Sequence, residues 1–236
     1  MERLEPISYR DGETALTGHL ARPAGKPRAA IAVFPTIMNS TPAVEAKACV
    51  LAEAGYLAMI CDFYGRQPDG PVAFEWADAL RADTGAWRAR LRAGLAALRE
   101  IAPDLRQAAI GFCMGGQAVL ELARDGAELA LVTSFHGLLE TKAPAAPGSV
   151  KARILVCHGD ADPLVPREHV LRFWEEMDRA GADWHFHGYS GVKHGFTNPD
   201  PPSGNPVVDY DASADRQSWA AMGEMLAEVL DQAARA

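Results

Sequence analysis

The sequence of 236 residues predicts an α/β fold, in which a mostly parallel central sheet carries helices on both faces. Short apolar runs alternate along the chain with longer segments of helical periodicity, and this alternation is typical of βαβ units. The composition, 48% hydrophobic and 23% charged, is that of an ordinary globular protein. The chain contains no internal repeat and no linker that would separate two domains, so we expect residues 1–236 to form a single domain.

The predicted strands are short apolar runs that follow one another along the chain. The opening segment, residues 7–20, predicts one or two antiparallel strands, and later strands are expected at 29–34, 57–61, 108–111, 129–135, 154–158 and 184–189. Most of the later runs are apolar almost throughout, as buried parallel strands are. The last one alternates polar and apolar residues and is therefore expected nearer an edge of the sheet.

The segments between the strands carry the spacing of amphipathic helices. The predicted helices span 44–54, 87–101, 116–124, 167–180 and 213–234. Pro103 and Gly181 stand where two of these helices should end. Two further segments, 64–77 and 198–211, are predicted as loops, and loops of that length more often serve a function than not.

The charge balance excludes some classes of protein. The formal net charge is −8, from 23 basic and 31 acidic side chains. A general nucleic-acid-binding protein neutralises phosphates with lysine and arginine, so this balance argues against that class. No stretch approaches the ~20 apolar residues of a membrane span, and the N-terminal residues lack the features of a signal peptide. We therefore expect a cytoplasmic protein that binds neither nucleic acid nor membrane.

The cysteines are too scattered for the usual metal or redox motifs. They are Cys49, Cys61, Cys113 and Cys157, and none of them forms a C-x-x-C pair. This spacing argues against zinc and thioredoxin-like sites, and a reducing compartment argues against disulfides. Three of the four are expected to be small buried apolar residues. Cys113 is the exception because of the motif around it.

The motif around Cys113 is GFCMGG, residues 111–116, and it lies between a predicted strand and a predicted helix. It matches the nucleophile-elbow pattern, with cysteine where serine usually stands. Small residues are needed beside the nucleophile because the backbone turns sharply there, and Gly111 and Gly115 provide them. The start of the following helix favours negative charge, so we expect it to lower the pKa of the thiol.

A cysteine nucleophile needs a general base and an acidic residue that orients the base. On α/β-hydrolase folds these residues follow in the order nucleophile, acid, base. After Cys113, the loops HGDADPLVP and GVKHGF occur in that order, each beyond a predicted strand. His194 is the candidate base, and both Asp160 and Asp162 are candidates for the acid.

Two other histidines, His136 and His158, end predicted strands and are interpreted as groups with satisfied hydrogen bonds, either in the core or directly behind the residues of the site. His158 with Asp160 and Asp162 could be mistaken for a metal cluster. Residues on one short strand end face alternate sides, however, and no further ligand set is present, so no metal is expected.

The chain resembles the dienelactone hydrolase family over nearly its whole length. The resemblance rests on the elbow GFCMGG, the loop HGDADPLVP, the loop KHGF and the segment AGYLAMICDFYGRQ. It implies an α/β-hydrolase fold with Cys113 as nucleophile, His194 as base and Asp162, rather than Asp160, as acid. It also implies an intracellular enzyme without a cofactor, as a monomer or weak dimer.

The resemblance further implies an oxyanion hole and a substrate pocket. The two backbone N–H donors of the hole are expected at Met114 and Ile37; Pro35 has no N–H to give. Six side chains are expected around the substrate: Thr36, Met38, Phe74, Trp76, Phe112 and Phe196.

Two departures from the family pattern bear on the substrate. Where the family carries a glutamate that contacts the resting thiol, this chain has Thr36, so we expect Cys113 to pair with His194 constantly. Family members hold a substrate carboxylate with arginines. Here none follows His194 closely, and the segment 64–76 offers only Arg66. We therefore expect a less polar substrate.

These observations predict a hydrolase of activated esters or lactones that works through a thioester on Cys113, with a small ester or lactone as its partner. One alternative is transfer of the acyl group to another acceptor, as in a thioesterase or acyltransferase. Another is promiscuous hydrolysis of activated aryl or phosphate esters. A binding protein that has kept its elbow, or a peroxide sensor that uses Cys113, are alternatives of other classes.

Overall fold

The computed structural model describes residues 4–231. Within them the strands are β1 (Glu5–Asp11), β2 (Thr14–Ala21), β3 (Ala30–Phe34), β4 (Leu57–Ile60), β5 (Gln107–Phe112), β6 (Leu131–Phe135), β7 (Arg153–Gly159) and β8 (Trp184–Tyr189). The helices are α1 (Pro42–Glu53), α2 (Val72–Ala82), α3 (Thr84–Ile101), α4 (Met114–Arg124), α5 (Arg167–Ala180) and α6 (Ala212–Asp231). The strands form one sheet, in the order β1-β2-β4-β3-β5-β6-β7-β8. The predicted fold class, α/β with a mostly parallel sheet, is confirmed.

One of the two predicted loops is wrong over its second half. The sequence predicts a loop over 64–77, whereas α2 begins at Val72. This helix buries only Ala73 and Ala77, and the residue before it, Pro71, provides no side-chain cap. Its apolar stripe is too thin and its start signal too weak for sequence pattern alone to indicate a helix.

Helices α1 and α3 begin a few residues before their apolar pattern does, because each has a capping side chain. Thr41 accepts a hydrogen bond from the N–H of Val44, and Asp83 accepts one from the N–H of Ala86.

Contacts within the chain divide it into two compact units, one ending at Ala109 and the other beginning at the next residue. The expectation of a single domain stays a prediction.

In the first unit the strands are fixed by a hairpin and by a buried carboxylate. Strands β1 and β2 pair antiparallel, β2 pairs antiparallel with β4, and β3 pairs parallel with β4. The buried Asp62, just after β4, accepts four hydrogen bonds of 2.8 or 2.9 Å, from the Asn39 side chain and from the N–H groups of Thr17, Tyr64 and Gly65. This carboxylate therefore holds the loop after β3 against the loop after β4.

In the second unit, β6, β7 and β8 pair in parallel, so the loops that follow β7 and β8 leave from the same edge. Helix α4 is buried along its whole length. Its last residue, Arg124, is buried with Glu121 at 3.1 Å and with Glu176 of α5 at 2.8 Å. Because a buried charge is tolerated only when it is paired, these contacts fix α4 against α5. None of the helices within residues 4–231 is long and apolar enough to cross a membrane.

Candidate active site

Cys113 lies at the sharp turn between β5 and α4. Its backbone has a φ of 55° and a ψ of −113°, a conformation that is rare outside glycine and frequent at functional sites. A Cβ atom on Gly111 would lie 1.9 Å from the carbonyl oxygen of Gly115, so no larger residue fits at that position. The turn therefore has the geometry of the elbow that the sequence motif predicts.

Of the two candidate acids, Asp162 is the one that contacts His194. Its Oδ2 lies 2.7 Å from Nδ1 of His194, its Oδ1 accepts a hydrogen bond of 2.8 Å from the N–H of Leu164, and its side chain is fully buried. Asp160 instead forms an ion pair at the surface with Arg167, which lowers the pKa of that carboxyl. Of the two carboxylates that the sequence left as candidates, the structure therefore brings Asp162, and not Asp160, into contact with His194.

The loops that carry Asp162 and His194 pack directly on each other. The N–H of Ala161 donates a hydrogen bond of 2.9 Å to the carbonyl of Val192. A Cβ atom on Gly159, at the end of β7, would lie 2.4 Å from the same carbonyl oxygen. On the far side, the carbonyl of His194 accepts a hydrogen bond of 3.1 Å from the N–H of Asp209. Hydrogen bonds to the backbone of His194 and to its ring together therefore fix the position of this imidazole.

The charge of His194 is set by its position between a carboxylate and a thiol. Burial alone would lower the pKa of His194, which is 3% exposed. The charge of Cys113 and the hydrogen bond with Asp162 outweigh burial and raise the pKa of His194 to about 10. Within residues 4–231, Nε2 of His194 has no hydrogen-bond partner. Since Nδ1 is engaged by Asp162, Nε2 is the ring nitrogen available to Cys113. Asp162 and Cys113 therefore both favour the protonated form of His194.

His136 lies beside Cys113, although the sequence gave it no catalytic part. Its Nδ1 accepts a hydrogen bond of 3.1 Å from the N–H of Cys113, and its Nε2 lies 2.8 Å from Oγ1 of Thr197. The prediction that His136 is a buried group with satisfied hydrogen bonds is confirmed. Its partners lie 23 and 61 residues away along the chain, and the only sequence signal is a polar residue at the end of an apolar strand.

The same prediction is wrong for His158. This residue is 3% exposed, yet neither of its ring nitrogens has a hydrogen-bond partner within residues 4–231. Burial lowers the pKa of His158 against the opposing influence of Asp162 and Asp160. The part of the chain that the structure describes contains no group of three or more potential metal ligands.

In the first unit, the loop expected to carry an oxyanion donor is fixed by contacts of its own unit. Oγ1 of Thr36 accepts a hydrogen bond of 3.2 Å from the N–H of Met38. The Tyr64 hydroxyl donates to the carbonyl of Ile37 at 3.1 Å, and the Gln67 side chain donates to the carbonyl of Met38 at 2.7 Å. Among the described residues, nothing accepts a hydrogen bond from the N–H of Ile37. Met114, the other expected donor, is the first residue of α4 in the second unit.

The aromatic side chains expected around the substrate lie in different settings. In the first unit, Phe74 is 63% exposed, and the guanidinium carbon of Arg66 lies 3.8 Å from the ring centroid of the half-buried Trp76. In the second unit, Phe112 and Phe196 are buried, with exposures of 2% and 0%. These two rings contact protein, and a role for them in lining a pocket stays a prediction.

Comparison with known proteins gives consistent results. The sequence profile of the dienelactone hydrolase family matches residues 16–230. A solved structure named m3DLH is 35% identical to this chain, covers 96% of it and 98% of its own length, and superposes with a TM-score of 0.88. A dienelactone hydrolase-like promiscuous phosphotriesterase from metagenomic libraries is 33% identical, with the same coverage and a TM-score of 0.88. A probable 2-oxo-3-(5-oxofuran-2-ylidene)propanoate lactonase from Bradyrhizobium sp. is 27% identical over 201 residues, which are 79% of this chain and 80% of the relative.

Proposed function

Because the chain belongs to the dienelactone hydrolase family, we propose that it hydrolyses activated esters and lactones through Cys113, His194 and Asp162. The observation that supports this most directly is the 2.7 Å contact of Nδ1 of His194 with the buried Asp162, and Cys113 and Asp162 together raise the pKa of His194. An imidazolium paired with a thiolate at neutral pH supplies an ionised nucleophile before the substrate binds. With Thr36 bound to its own loop, no carboxylate at that position competes for the thiol.

In the first half-reaction, Sγ of Cys113 attacks the carbonyl carbon of the ester or lactone. An S–C bond forms, and the carbonyl electron pair moves onto oxygen. The C–O bond to the leaving group then breaks, and Nε2 of His194 gives its proton to the departing oxygen. The products are a thioester on Cys113 and a neutral imidazole; with a lactone, the released hydroxyl stays attached to the acyl group.

The loss of the thiolate prepares His194 for the second half-reaction. The thiolate charge is the strongest influence that raises the pKa of His194, and it disappears when the thioester forms. Burial then favours the neutral imidazole, which accepts a proton from the attacking water. The water oxygen bonds to the carbonyl carbon, the C–S bond breaks, and the thiolate and imidazolium are restored with the acid product.

We propose that the backbone N–H groups of Met114 and Ile37 bind the oxyanion. Met114 is supported by its place directly after Cys113 at the first position of α4, where the helix dipole favours negative charge. Ile37 is supported because its N–H donates no hydrogen bond within residues 4–231, whereas the N–H of Met38 donates to Thr36. Loss of one such donor typically costs about 3 kcal/mol of transition-state stabilisation.

The nucleophile and its surroundings restrict the substrate class. A thiolate departs easily from a tetrahedral intermediate, so the reaction goes forward only when the alcohol side departs as easily. This favours aryl esters, enol esters and lactones over amides. No arginine follows His194 in the run Gly195–Phe196–Thr197, so a substrate carboxylate has no partner there.

The proposal is tested with an aryl ester, an enol lactone and an anilide of the same acyl group. The wild type is expected to hydrolyse the first two and to leave the anilide. Cys113→Ala and Cys113→Ser should each lower kcat by a factor of about 1000 or more. Cys49→Ala, which removes a half-buried thiol of α1, serves as the matched control and should keep the wild-type rate.

Equal rates for the wild type and Cys113→Ala would contradict the proposal. An acyl adduct on Cys113, detected by mass spectrometry after rapid quenching, would support the thioester. Turnover that an added alcohol or thiol accelerates, with the acyl group found on that acceptor, would show acyl transfer instead of hydrolysis.

A second activity is suggested by the 33% identical promiscuous phosphotriesterase. The thiolate would attack phosphorus of an aryl dialkyl phosphate, form an S–P bond and expel the aryl oxide, and water would then cleave the S–P bond. An aryl dialkyl phosphate in the same panel tests this activity. Cys113→Ala should abolish it together with ester hydrolysis, because both use the same nucleophile.

A further inference from the structure

We infer that His136 and Thr197 are positioning residues that tie the turn of the nucleophile to the loop of the base. This inference rests on the proposed function, because it concerns the alignment of Cys113 with His194. Neither residue reaches the substrate in this role. Each acts through the backbone or side chain that it holds.

The link consists of two hydrogen bonds in series. The N–H of Cys113 is shared between the carbonyl oxygen of Phe135 and Nδ1 of His136, each at 3.1 Å. On the other side of the ring, Nε2 lies 2.8 Å from Oγ1 of Thr197. Thr197 follows His194 by three residues in the same loop. One imidazole thus joins the two segments whose side chains must meet.

The partners define where the proton of His136 lies. A backbone N–H can only donate, so Nδ1 of His136 accepts and carries no proton. The proton of the neutral ring is then on Nε2, which donates to the hydroxyl of Thr197. Neutrality matters here because the ring centroids of His136 and His194 are 5.2 Å apart. A second positive charge at that distance would oppose the imidazolium of His194.

The backbone of His136 is strained, which indicates that its position is enforced by its surroundings. Its φ is 42°, and the described part of the chain contains only two other non-glycine residues with positive φ, Asn39 and Cys113. Such a conformation is unfavourable for a residue with a side chain and persists only where neighbouring contacts over-determine it. His136 and Thr197 are 2% and 4% exposed, and Phe196 packs edge-on against the His136 ring at 5.2 Å.

A purely structural role would predict a different outcome from a positioning role. If the pair only satisfied buried polar groups, its removal would lower the melting temperature and leave the folded fraction with normal kinetics. If the pair aligns Cys113 with His194, its removal lowers kcat in protein that is still folded. A misplacement of reacting groups by about 1 Å can cost roughly 100-fold in rate.

The variants separate the two hydrogen bonds. His136→Asn keeps an acceptor near the position of Nδ1 but is too short to reach Thr197. Thr197→Val removes the hydroxyl at nearly constant volume, and Thr197→Ser keeps it. His185→Asn, an exposed histidine on β8, is the matched control.

We expect His136→Asn and Thr197→Val each to lower kcat by roughly 10- to 100-fold, with KM within about twofold of the wild type. Thr197→Ser should stay within about threefold of the wild type, as should His185→Asn. Because both residues belong to one link, the double variant should be no slower than the slower single variant. Losses that multiply in the double variant, or a wild-type kcat in folded Thr197→Val, would overturn the inference.

A second measurement does not depend on any substrate. The rate at which iodoacetamide alkylates Cys113, followed by peptide mass mapping across pH, reports the thiolate that His194 stabilises. Loss of the link should move the half-maximal pH towards that of an ordinary cysteine, while Thr197→Ser and His185→Asn leave it in place. An unshifted profile in Thr197→Val would overturn the inference, whether or not the wild type hydrolyses an ester. Failure of the wild type to hydrolyse any ester would refute the proposed function separately. If His136→Asn fails to fold, the Thr197 variants carry the test alone.

Discussion

At the scale of single residues, the site gives different tasks to two aspartates that are two positions apart. Asp162 is buried and holds Nδ1 of His194 at 2.7 Å, whereas Asp160 lies at the surface in an ion pair with Arg167. An exposed ion pair contributes little to stability because water and salt screen it. The buried carboxylate fixes both the orientation and the tautomer of the imidazole, so the two residues should respond very differently to loss of charge.

Asp162→Asn should lower kcat on an aryl ester by about 1000-fold or more, because an amide that donates to Nδ1 leaves the wrong tautomer at Nε2. Asp160→Asn is the matched control, with the same substitution two residues away, and should retain kcat within about twofold. Steady-state kinetics of the two variants test this difference in kcat. Circular dichroism shows whether both variants are folded. A comparable loss in Asp160→Asn would remove the basis for assigning the acid to Asp162.

At the scale of elements, the site depends on backbone segments that approach more closely than any side chain would allow. The clearest case is Gly159 at the end of β7, where an added Cβ would meet the carbonyl oxygens of Val192 and Lys193 at 2.4 and 2.8 Å. These carbonyls belong to the loop that presents His194. The loop that carries His194 can therefore approach the end of β7 this closely only because residue 159 has no side chain.

Gly159→Ala should push the two loops apart, lowering kcat by more than about tenfold and the free energy of unfolding by about 1–3 kcal/mol. Gly188→Ala, on the neighbouring strand β8, is the control, since a Cβ there would meet nothing within 4 Å. Chemical denaturation and ester kinetics measure both effects. If Gly159→Ala kept the wild-type kcat and free energy of unfolding, the loop that carries His194 would be free to move relative to β7. The close packing at Gly159 would then not constrain the site.

The elements also show which parts of the structure a single sequence can predict. The strands are found within a few residues because a buried strand is an apolar run between breaks, a pattern confined to adjacent residues. Helix α2 is not found because it buries only two alanines. The elbow, the loop of Asp162 and the loop of His194 are each short local motifs, and their order along the chain carries further information.

Contacts between distant segments leave no such pattern. Arg124 is buried against Glu176, which lies 52 residues away, and His136 contacts Thr197 across 61 residues. Nothing in the sequence around these residues distinguishes them from surface charges or from core histidines. Such pairs are set by tertiary packing, so their place in the site becomes evident only in three dimensions.

At the scale of the whole molecule, the excess of acidic side chains bears on which substrates reach the site. The net charge of −8 gives the protein a negative potential at neutral pH, and that potential lowers the local concentration of anions. Salt weakens the effect, since the screening length falls from about 30 Å at 0.01 M to about 8 Å at 0.15 M. The lack of an arginine after His194 acts in the same direction as this general repulsion.

An aryl ester that carries a free carboxylate should therefore be a poor substrate whose kcat/KM rises about two- to fivefold between low and physiological salt. Its neutral methyl ester is the control and should show a kcat/KM that salt does not change. The value of kcat should stay constant for both, because the repulsion acts on the approach of the anion and not on the bound complex. If kcat/KM for the anion fell with salt, a cationic group at the site would outweigh the net charge. Arg66, the only arginine in the segment 64–76, would then be the residue to replace, and Arg66→Ala should abolish that dependence.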